Sequence, residues 1–267
     1  MLFHPLLNNV LVRRILSAAV GLPILIVFVW LGSYWLAVLV ALIVLLASRE
    51  FYGLLKRVGL SPHARLGYAW GACIIAIAAI DSGVWIWIVV IGIATIALLG
   101  SLRRSSMTWV LDIVGTTLGS LYIAGSLSAV LIIRQGDQGI KWLLLALFVT
   151  FATDIGAYLA GKTWGRHFMV PSISPSKTWE GLAGGLILGT ATCLLLNSFM
   201  SLPIENGGAI ILGIVIVLIS QLGDLIESKV KRLAKVKDSG NIIPGHGGLL
   251  DRLDSLVLVF PLVYYVS

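Results

Sequence analysis

Charge is scarce along this chain. Only 12% of its 267 residues are Asp, Glu, Lys or Arg, about half of what a soluble domain carries. Hydrophobic residues make up 58% and arrive in long blocks. A water-soluble fold of this length has no single core able to hide so many apolar blocks, so a bilayer is the expected solvent. Cysteine is scarcer still. Cys73 and Cys193 lie far apart inside apolar stretches, which excludes a disulfide framework and a cysteine-rich metal centre. The amino-terminal apolar run follows Arg13 and Arg14 and has no small-residue cleavage site, so it reads as a first anchor. The P-loop pattern G-x-x-x-x-G-K-[ST], internal repeats and low-complexity tracts are all absent.

What is present is a series of apolar runs. A spanning helix needs about 20 mostly apolar residues, and nine candidates stand out: 15–31, 35–55, 67–80, 84–100, 110–133, 142–161, 178–200, 207–226 and 251–266. The third and the last are short. Turn residues separate several of them, as at Gly32-Ser33, Asp81-Ser82-Gly83, Gly136-Asp137-Gln138-Gly139 and Glu205-Asn206-Gly207-Gly208. Tryptophans gather near the ends, at Trp30, Trp35, Trp85, Trp87, Trp109 and Trp142, as interface anchors do. The expected fold class is therefore all-α and polytopic.

The net charge of +7 raises nucleic acid as a partner, but in a membrane chain it reports orientation first. With the amino terminus in the cytoplasm and nine alternating spans, the inner segments collect Arg13, Arg14, Arg49, Lys56, Arg57, Arg65, Arg103, Arg104, Lys162, Arg166 and Lys177. They also collect Lys229, Lys231, Arg232, Lys235, Lys237 and Arg252. The outer segments hold only Arg134 and Lys141 of the 19 basic residues. This split predicts an N-in, C-out protein of the cytoplasmic membrane and leaves no call for a nucleic-acid partner. Up to about residue 140 the loops are short, and beyond it the inner loops are long and dense in Gly, Pro, Ser, Lys and Asp. Residues 1–140 are expected to be a scaffold of about five spans, and 141–267 a catalytic region of about four.

Three constellations could carry chemistry. Asp154 lies within the sixth span, roughly 10 Å from its expected end at Gly161; an acid at that depth marks a site or a hydrogen bond to a neighbouring span. The next inner loop, GKTWGRHFMVPSISPSKTWEG (161–181), begins with a small basic, flexible turn of Gly161, Lys162, Gly165 and Arg166 and has Ser174 and Pro175 where a helix would start. Ser174 and Lys177, with Thr178 nearby, would then place hydroxyls, free backbone N–H groups and an ammonium at a positive helix end, which suits phosphate; the plainer reading is a cap with a snorkelling lysine.

The last inner loop, QLGDLIESKVKRLAKVKDSGNIIPGHGGLLDRLDSL (221–256), is the richest. Asp224 closes the eighth span. Lys229, Lys231, Arg232, Lys235 and Lys237 follow, then Asp238, His246, Gly247 and Gly248, and finally Asp251, Arg252 and Asp254. Asp251 and Asp254 are three apart and share a helix face. With Asp224 they offer the hard oxygens that Mg²⁺ takes, with substrate phosphate completing the shell. The basic run offers charge to phosphate oxygens or anionic headgroups, although alone it could serve only topology. Gly247 and Gly248 let backbone approach a ligand closely, and His246 could bond a phosphate, tune a ligand or be structural.

The stretch from Ser228 to Asp254 resembles the signature of the phosphatidate cytidylyltransferases, or CDP-diacylglycerol synthases. The marked elements are Ser228, Lys231, Arg232, Lys237, Asp238, His246, Gly247, Gly248, Asp251, Arg252 and Asp254. The TDIGAYLAGKTWG and SPSKTWEG stretches are similar to two further blocks of that family, so the resemblance covers 150–256 closely and the first half only in hydropathy. It implies an α-helical membrane enzyme, often a homodimer, that joins CTP to phosphatidate from the inner leaflet, releasing pyrophosphate and forming CDP-diacylglycerol. It implies Mg²⁺, with K⁺ associated with the site. Asp224 and Asp251 would be metal ligands with Asp254 near them, and Lys177, Lys231, Arg232 and Lys237 would hold phosphates. An anion transporter is the competing class, because intramembrane acids and broken helices suit one. Against it, the acids gather at one membrane face. The D-G-x-x-A-R pattern of CDP-alcohol phosphatidyltransferases is absent.

Overall fold

The computed structural model describes residues 21, 23–80, 92, 107–243 and 247–267. Residues 15–20 and 22 of the first expected span, all but one residue of the fourth, and His246 lie outside these residues. The chain is mostly helical. Helix α1 spans Ser33–Arg57, α2 Ala64–Ile80, α3 Met107–Gln135, α4 Gly139–Trp164, α5 Trp179–Met200 and α6 Asn206–Leu233. Among the described residues, five helices (α1, α3, α4, α5 and α6) are long and apolar enough to cross a membrane. The chain is a multi-pass membrane protein. The second, third, fifth, sixth, seventh and eighth expected spans each have a helix in place; α2 stops at 17 residues.

The last expected span, 251–266, is not one helix. It divides into α7, Leu250–Leu253, and α8, Leu256–Tyr264. Between them Ser255 donates its backbone N–H to Asp254 Oδ1 at 2.7 Å. A short polar side chain bonding nearby backbone competes with helix continuation. The nine residues of α8 rise about 14 Å, well under the roughly 30 Å of a hydrocarbon core.

The chain falls into two compact units. The first takes its residues from Met1–Ile132 and Leu233–Arg252, the second from Ile133–Arg232 and Leu253–Ser267. Composition divides the sequence near residue 140; the compact units part at Ile132 and return Leu233–Arg252 to the first.

In the first unit α1, α2 and α3 lock around Tyr52, which is fully buried. Its hydroxyl donates to the Thr116 carbonyl at 3.0 Å and lies 2.8 Å from Ser120 Oγ. Its ring occupies the space a side chain on Gly67 would need, so α2 approaches as closely as backbone permits. The α1–α2 connection is tied to α3 by Ser61 N–H to Asp112 at 2.6 Å and His63 N–H to Thr116 Oγ1 at 2.8 Å. Mid-way, α3 widens into a π-helical turn at Leu121–Gly125.

The second unit is built on a seam between α4 and α5. Gly181, Gly185 and Gly189 recur every four residues on α5 and face α4. A Cβ on Gly181 would stand 2.9 Å from the Ala157 carbonyl, one on Gly156 would stand 2.5 Å from the Gly184 carbonyl, and one on Gly184 would collide with Ala160. Small residues at this spacing bring helices together where lipid supplies no hydrophobic drive. On α6, Gly213 meets Thr190 and Cys193 of α5, and Gly223 leaves space for the backbone at Asp254.

The loop between α4 and α5 corrects one expectation. Ser174 and Pro175 do not begin a helix. Phe168–Val170 (β1) and Ser174–Thr178 (β2) form an antiparallel ribbon pairing Phe168 with Thr178 and Val170 with Ser174. Pro171 sits second in the connecting turn, closed by Ile173 N–H to the Val170 carbonyl at 3.0 Å, where its fixed φ is suited. Pro175 is tolerated because a two-stranded ribbon has only edge strands. Helix α5 starts at Trp179, and Thr178 is its cap, accepting Gly181 N–H at 3.1 Å.

Candidate active site

The second unit carries a cleft of about 530 Å³. Helix α4 supplies Asp154 and Lys162, strand β2 supplies Ser174 and Lys177, and α6 supplies Gln221 and Asp224. The glycine seam sets this arrangement, since it fixes the distance from α4 to the β2–α5 junction. Asp154 stands ten residues before the end of α4 at Trp164, roughly 15 Å inside that end.

Lys177 and Asp224 are the central pair. Lys177 Nζ lies 2.8 Å from Asp224 Oδ2 and also donates to the Gln221 carbonyl at 3.3 Å. Asp224 Oδ1 accepts the Ser228 hydroxyl at 3.1 Å, one turn along α6. The lysine is nearly buried and the aspartate about a third exposed. Both side chains line the cleft, the carboxylate more exposed than the ammonium. Asp254 lies within electrostatic reach of Asp224, Lys231 and Asp154. Three carboxylates and two lysines of the unit therefore share one neighbourhood.

Two expected phosphate ligands also have protein partners. Lys231 pairs with Glu227 one turn earlier at 3.1 Å, both buried. Arg232 Nε donates to the Ile173 carbonyl at 3.1 Å, tying the end of α6 to the ribbon turn.

The first unit holds the other half of the signature. Asp251 Oδ2 accepts three bonds: Ser239 N–H at 2.8 Å, the Ser239 hydroxyl at 2.9 Å and Gly248 N–H at 2.8 Å. Gly247 has φ +85°, a left-handed conformation that glycine adopts freely, and its N–H-to-carbonyl partner is Ile243, which donates to the Gly247 carbonyl at 3.0 Å. Lys237 and Asp238 are exposed on the same loop. Arg252 is exposed in α7.

Sequence reasoning missed four participants. Glu50 in α1 binds the loop before α7 from about 190 to 200 residues away, and no local pattern announces it. Glu227 was legible as the i, i+4 partner of Lys231. Thr178 stood only as a further hydroxyl beside Ser174 and Lys177, not as the cap of α5. Lys162 was read only as part of a basic turn, although Tyr158, 5.5 Å beneath its ammonium, stands at the helical spacing that signals such a contact.

Comparison with known proteins now decides the family. The cytidylyltransferase family matches residues 12–267. The chain belongs to the cytidylyltransferase family. It is 41% identical over 161 residues to the phosphatidate cytidylyltransferase of Bacillus subtilis (strain 168), a match covering 60% of each chain. It is 45% identical over 127 residues to that of Staphylococcus saprophyticus, covering 48% of this chain and 49% of the relative. With the Mycobacterium bovis protein of the same name it shares 30% identity over 259 residues, 91% of this chain and 83% of the relative. The matched stretches thus span about 60% of the Bacillus protein and half of the staphylococcal one, whereas the family match runs through both halves of this chain.

Proposed function

We propose that the chain is a phosphatidate cytidylyltransferase, converting CTP and phosphatidate to CDP-diacylglycerol and pyrophosphate in phospholipid synthesis. The observation that carries this reading is the match along 91% of the chain to a relative of that name. The cleft supports it, because two lysines, hydroxyls and two acids stand together on membrane helices and their connecting ribbon.

A phosphate oxygen of phosphatidate attacks the α-phosphorus of CTP in line. The bond from that phosphorus to the bridging oxygen breaks, and pyrophosphate leaves with the electron pair. The nucleophile is already an anion, so a strong general base is not required. The barrier is the crowding of negative charge, which positioned cations relieve. Lys162 and Lys177 face the cleft and Lys231, Arg232 and Lys237 follow in the signature; these are the proposed phosphate-binding side chains, with Ser174 as a neutral donor. Asp154 is a polar wall of the cleft. Gly247 and Gly248 give room for backbone to approach a phosphate, and His246 and Asp238 complete the signature beside them.

Mg²⁺ is the proposed cofactor, and Asp224, Asp251 and Asp254 are its proposed ligands; K⁺ is proposed as a second ion. The proposed donors are hard carboxylate oxygens, which suit Mg²⁺; that ion takes one or two carboxylates and completes its shell with water and substrate phosphate. Once bound it would neutralise charge on the leaving phosphates.

We further propose nine crossings, the ninth made by α7, the turn after it and α8 together, with the amino terminus in the cytoplasm and the carboxyl terminus outside. The protein would sit as a homodimer in the cytoplasmic membrane, drawing phosphatidate sideways from the inner leaflet and CTP from the cytosol. The distribution of Lys and Arg supports this orientation. A cysteine at the exposed position of Lys235 should react with an impermeant reagent from the cytoplasmic side only; labelling of intact cells at that position overturns it. Pyrophosphate release by purified protein, with phosphatidate and each of the four nucleoside triphosphates in turn, tests the activity. Release with CTP alone is expected, and equal or no release with all four defeats the reading.

A further inference from the structure

Glu50 lies seven residues before α1 ends at Arg57 and is 6% exposed. A carboxylate buried in an apolar helix is costly unless donors surround it. Its donors come from the far end of the sequence. Leu249 N–H reaches Oε1 at 3.1 Å, and Leu250 N–H and the Ser239 hydroxyl reach Oε2 at 2.8 and 3.2 Å. The same hydroxyl lies 2.9 Å from Asp251 Oδ2. A hydroxyl carries one proton, so the two carboxylates share it, and the position of each depends on the other.

The glycines of this loop carry the same constraint. A Cβ on Gly240 would collide with Glu50 Oε1, and one on Gly248 would stand 2.6 Å from Glu50 Oε2. Gly248 also donates its N–H to Asp251 Oδ2 at 2.8 Å. Glu50 therefore fixes the backbone on both sides of the Gly-Gly pair: Ser239-Gly240 before it and Leu249-Leu250 after it. The segment it fixes is the one whose N–H groups and hydroxyl set the side chain of Asp251.

We propose that Glu50 is a positioning residue for nucleotidyl transfer: from α1 it holds Ser239-Gly240 and Gly248-Leu249-Leu250, and through them it sets Asp251. The proposal rests on the transferase reading, in which Asp251 is a metal ligand. Glu50 itself touches neither substrate.

Glu50→Gln is the informative change. It keeps the volume, but in either orientation its NH₂ faces a backbone N–H, so one donor meets another. Leaving such a group unpaired should lower kcat in the folded fraction by about tenfold or more and raise the Mg²⁺ concentration needed for half-maximal rate. Hydrogen exchange at Leu249 and Leu250 should quicken while peptides from α4 and α5 stay unchanged. Ser239→Ala should produce a smaller loss in the same direction, and the two changes should combine less than multiplicatively because they remove one shared contact. A Glu50→Gln enzyme with wild-type kcat and Mg²⁺ dependence overturns the proposal, even if the loop exchanges faster. So does a double variant whose loss is the product of the two single losses. Should Glu50→Gln fail to fold, Ser239→Ala decides alone, and unaltered kcat and Mg²⁺ dependence in it overturn the proposal. A wild-type protein that releases no pyrophosphate from CTP defeats the transferase reading and the positioning role together, whereas a working wild type with a fully active Glu50→Gln defeats the positioning role only.

Discussion

Asp224 and Asp251 lie in one stretch of the sequence, 221–256, yet they are held by different kinds of partner. Asp224 faces a cleft and is bound by side chains, the Lys177 ammonium at 2.8 Å and the Ser228 hydroxyl at 3.1 Å. Asp251 commits Oδ2 to Ser239 and to two backbone N–H groups of its own loop. An ammonium on a four-carbon stem can swing away and leave a carboxylate to another cation. Backbone N–H groups cannot move without the loop moving with them. The contrast separates an acid whose charge is exchangeable from one whose charge also shapes its surroundings.

The largest effect should come from removing either charge. Asp224→Asn and Asp251→Asn should each lower turnover about a hundredfold or more, the usual scale for losing a charge contact made in the transition state. Extra Mg²⁺ should rescue little, because a neutral amide is a poor substitute for a carboxylate at this ion. The contrast predicts that the two variants differ in structure. Asp224→Asn should keep its folded fraction and its exchange pattern. Asp251→Asn should also speed exchange at Ser239 and Gly248, because a neutral amide oxygen holds the donors now on Oδ2 less strongly than a charged carboxylate does. Equal exchange in the two variants would erase the distinction, and a stable, active Asp251→Asn enzyme would remove its metal role.

A smaller effect should follow from Lys177→Met, which keeps the stem and removes the ammonium. If Lys177 serves phosphate as well as Asp224, turnover should fall by about tenfold, in the range of one lost hydrogen bond to a charged group. If it only balances Asp224, activity should stay near wild type, and the cleft would need another cation for the triphosphate. Lys162, which lines the same cleft, is the one to change next.

Much of the fold was legible because apolar length is a robust signal: α1, α3, α4, α5 and α6 fall within a few residues of the runs that predict them. The acids were legible for the converse reason, since Asp154 and Asp224 are charges where hydrocarbon is expected. The break at Asp254-Ser255 was not, because hydropathy continues across it while one side-chain bond diverts the backbone. The ribbon was missed because Ser174-Pro175 serves a helix start and an edge strand equally well. Glu50 was unreadable for a deeper reason. Beside Arg49 near the end of a span it looks like an ordinary interfacial charge, and its partners are backbone groups about 200 residues distant, which leave no mark on composition or spacing.

The smallest effect separates the two candidate caps of α5. Thr178 is buried, its Oγ1 accepts Gly181 N–H at 3.1 Å, and its backbone is extended, as a cap requires. Ser174 lies four residues earlier in β2, paired with Val170 and lining the cleft. Thr178→Ala removes the acceptor of a free helix N–H and should cost about 1 kcal/mol of stability, read as a lower midpoint of thermal unfolding in detergent. Ser174→Ala leaves every described helix end as it is, so its unfolding midpoint should not move. Its effect should fall on turnover, by a few-fold, as for one neutral donor to phosphate. The reverse result, with Ser174→Ala unfolding earlier and Thr178→Ala unchanged, would return the helix start to Ser174 and place the ribbon in error. With it would go the geometry that sets Lys177 against Asp224, because Lys177 reaches α6 from the strand and not from the first turn of a helix.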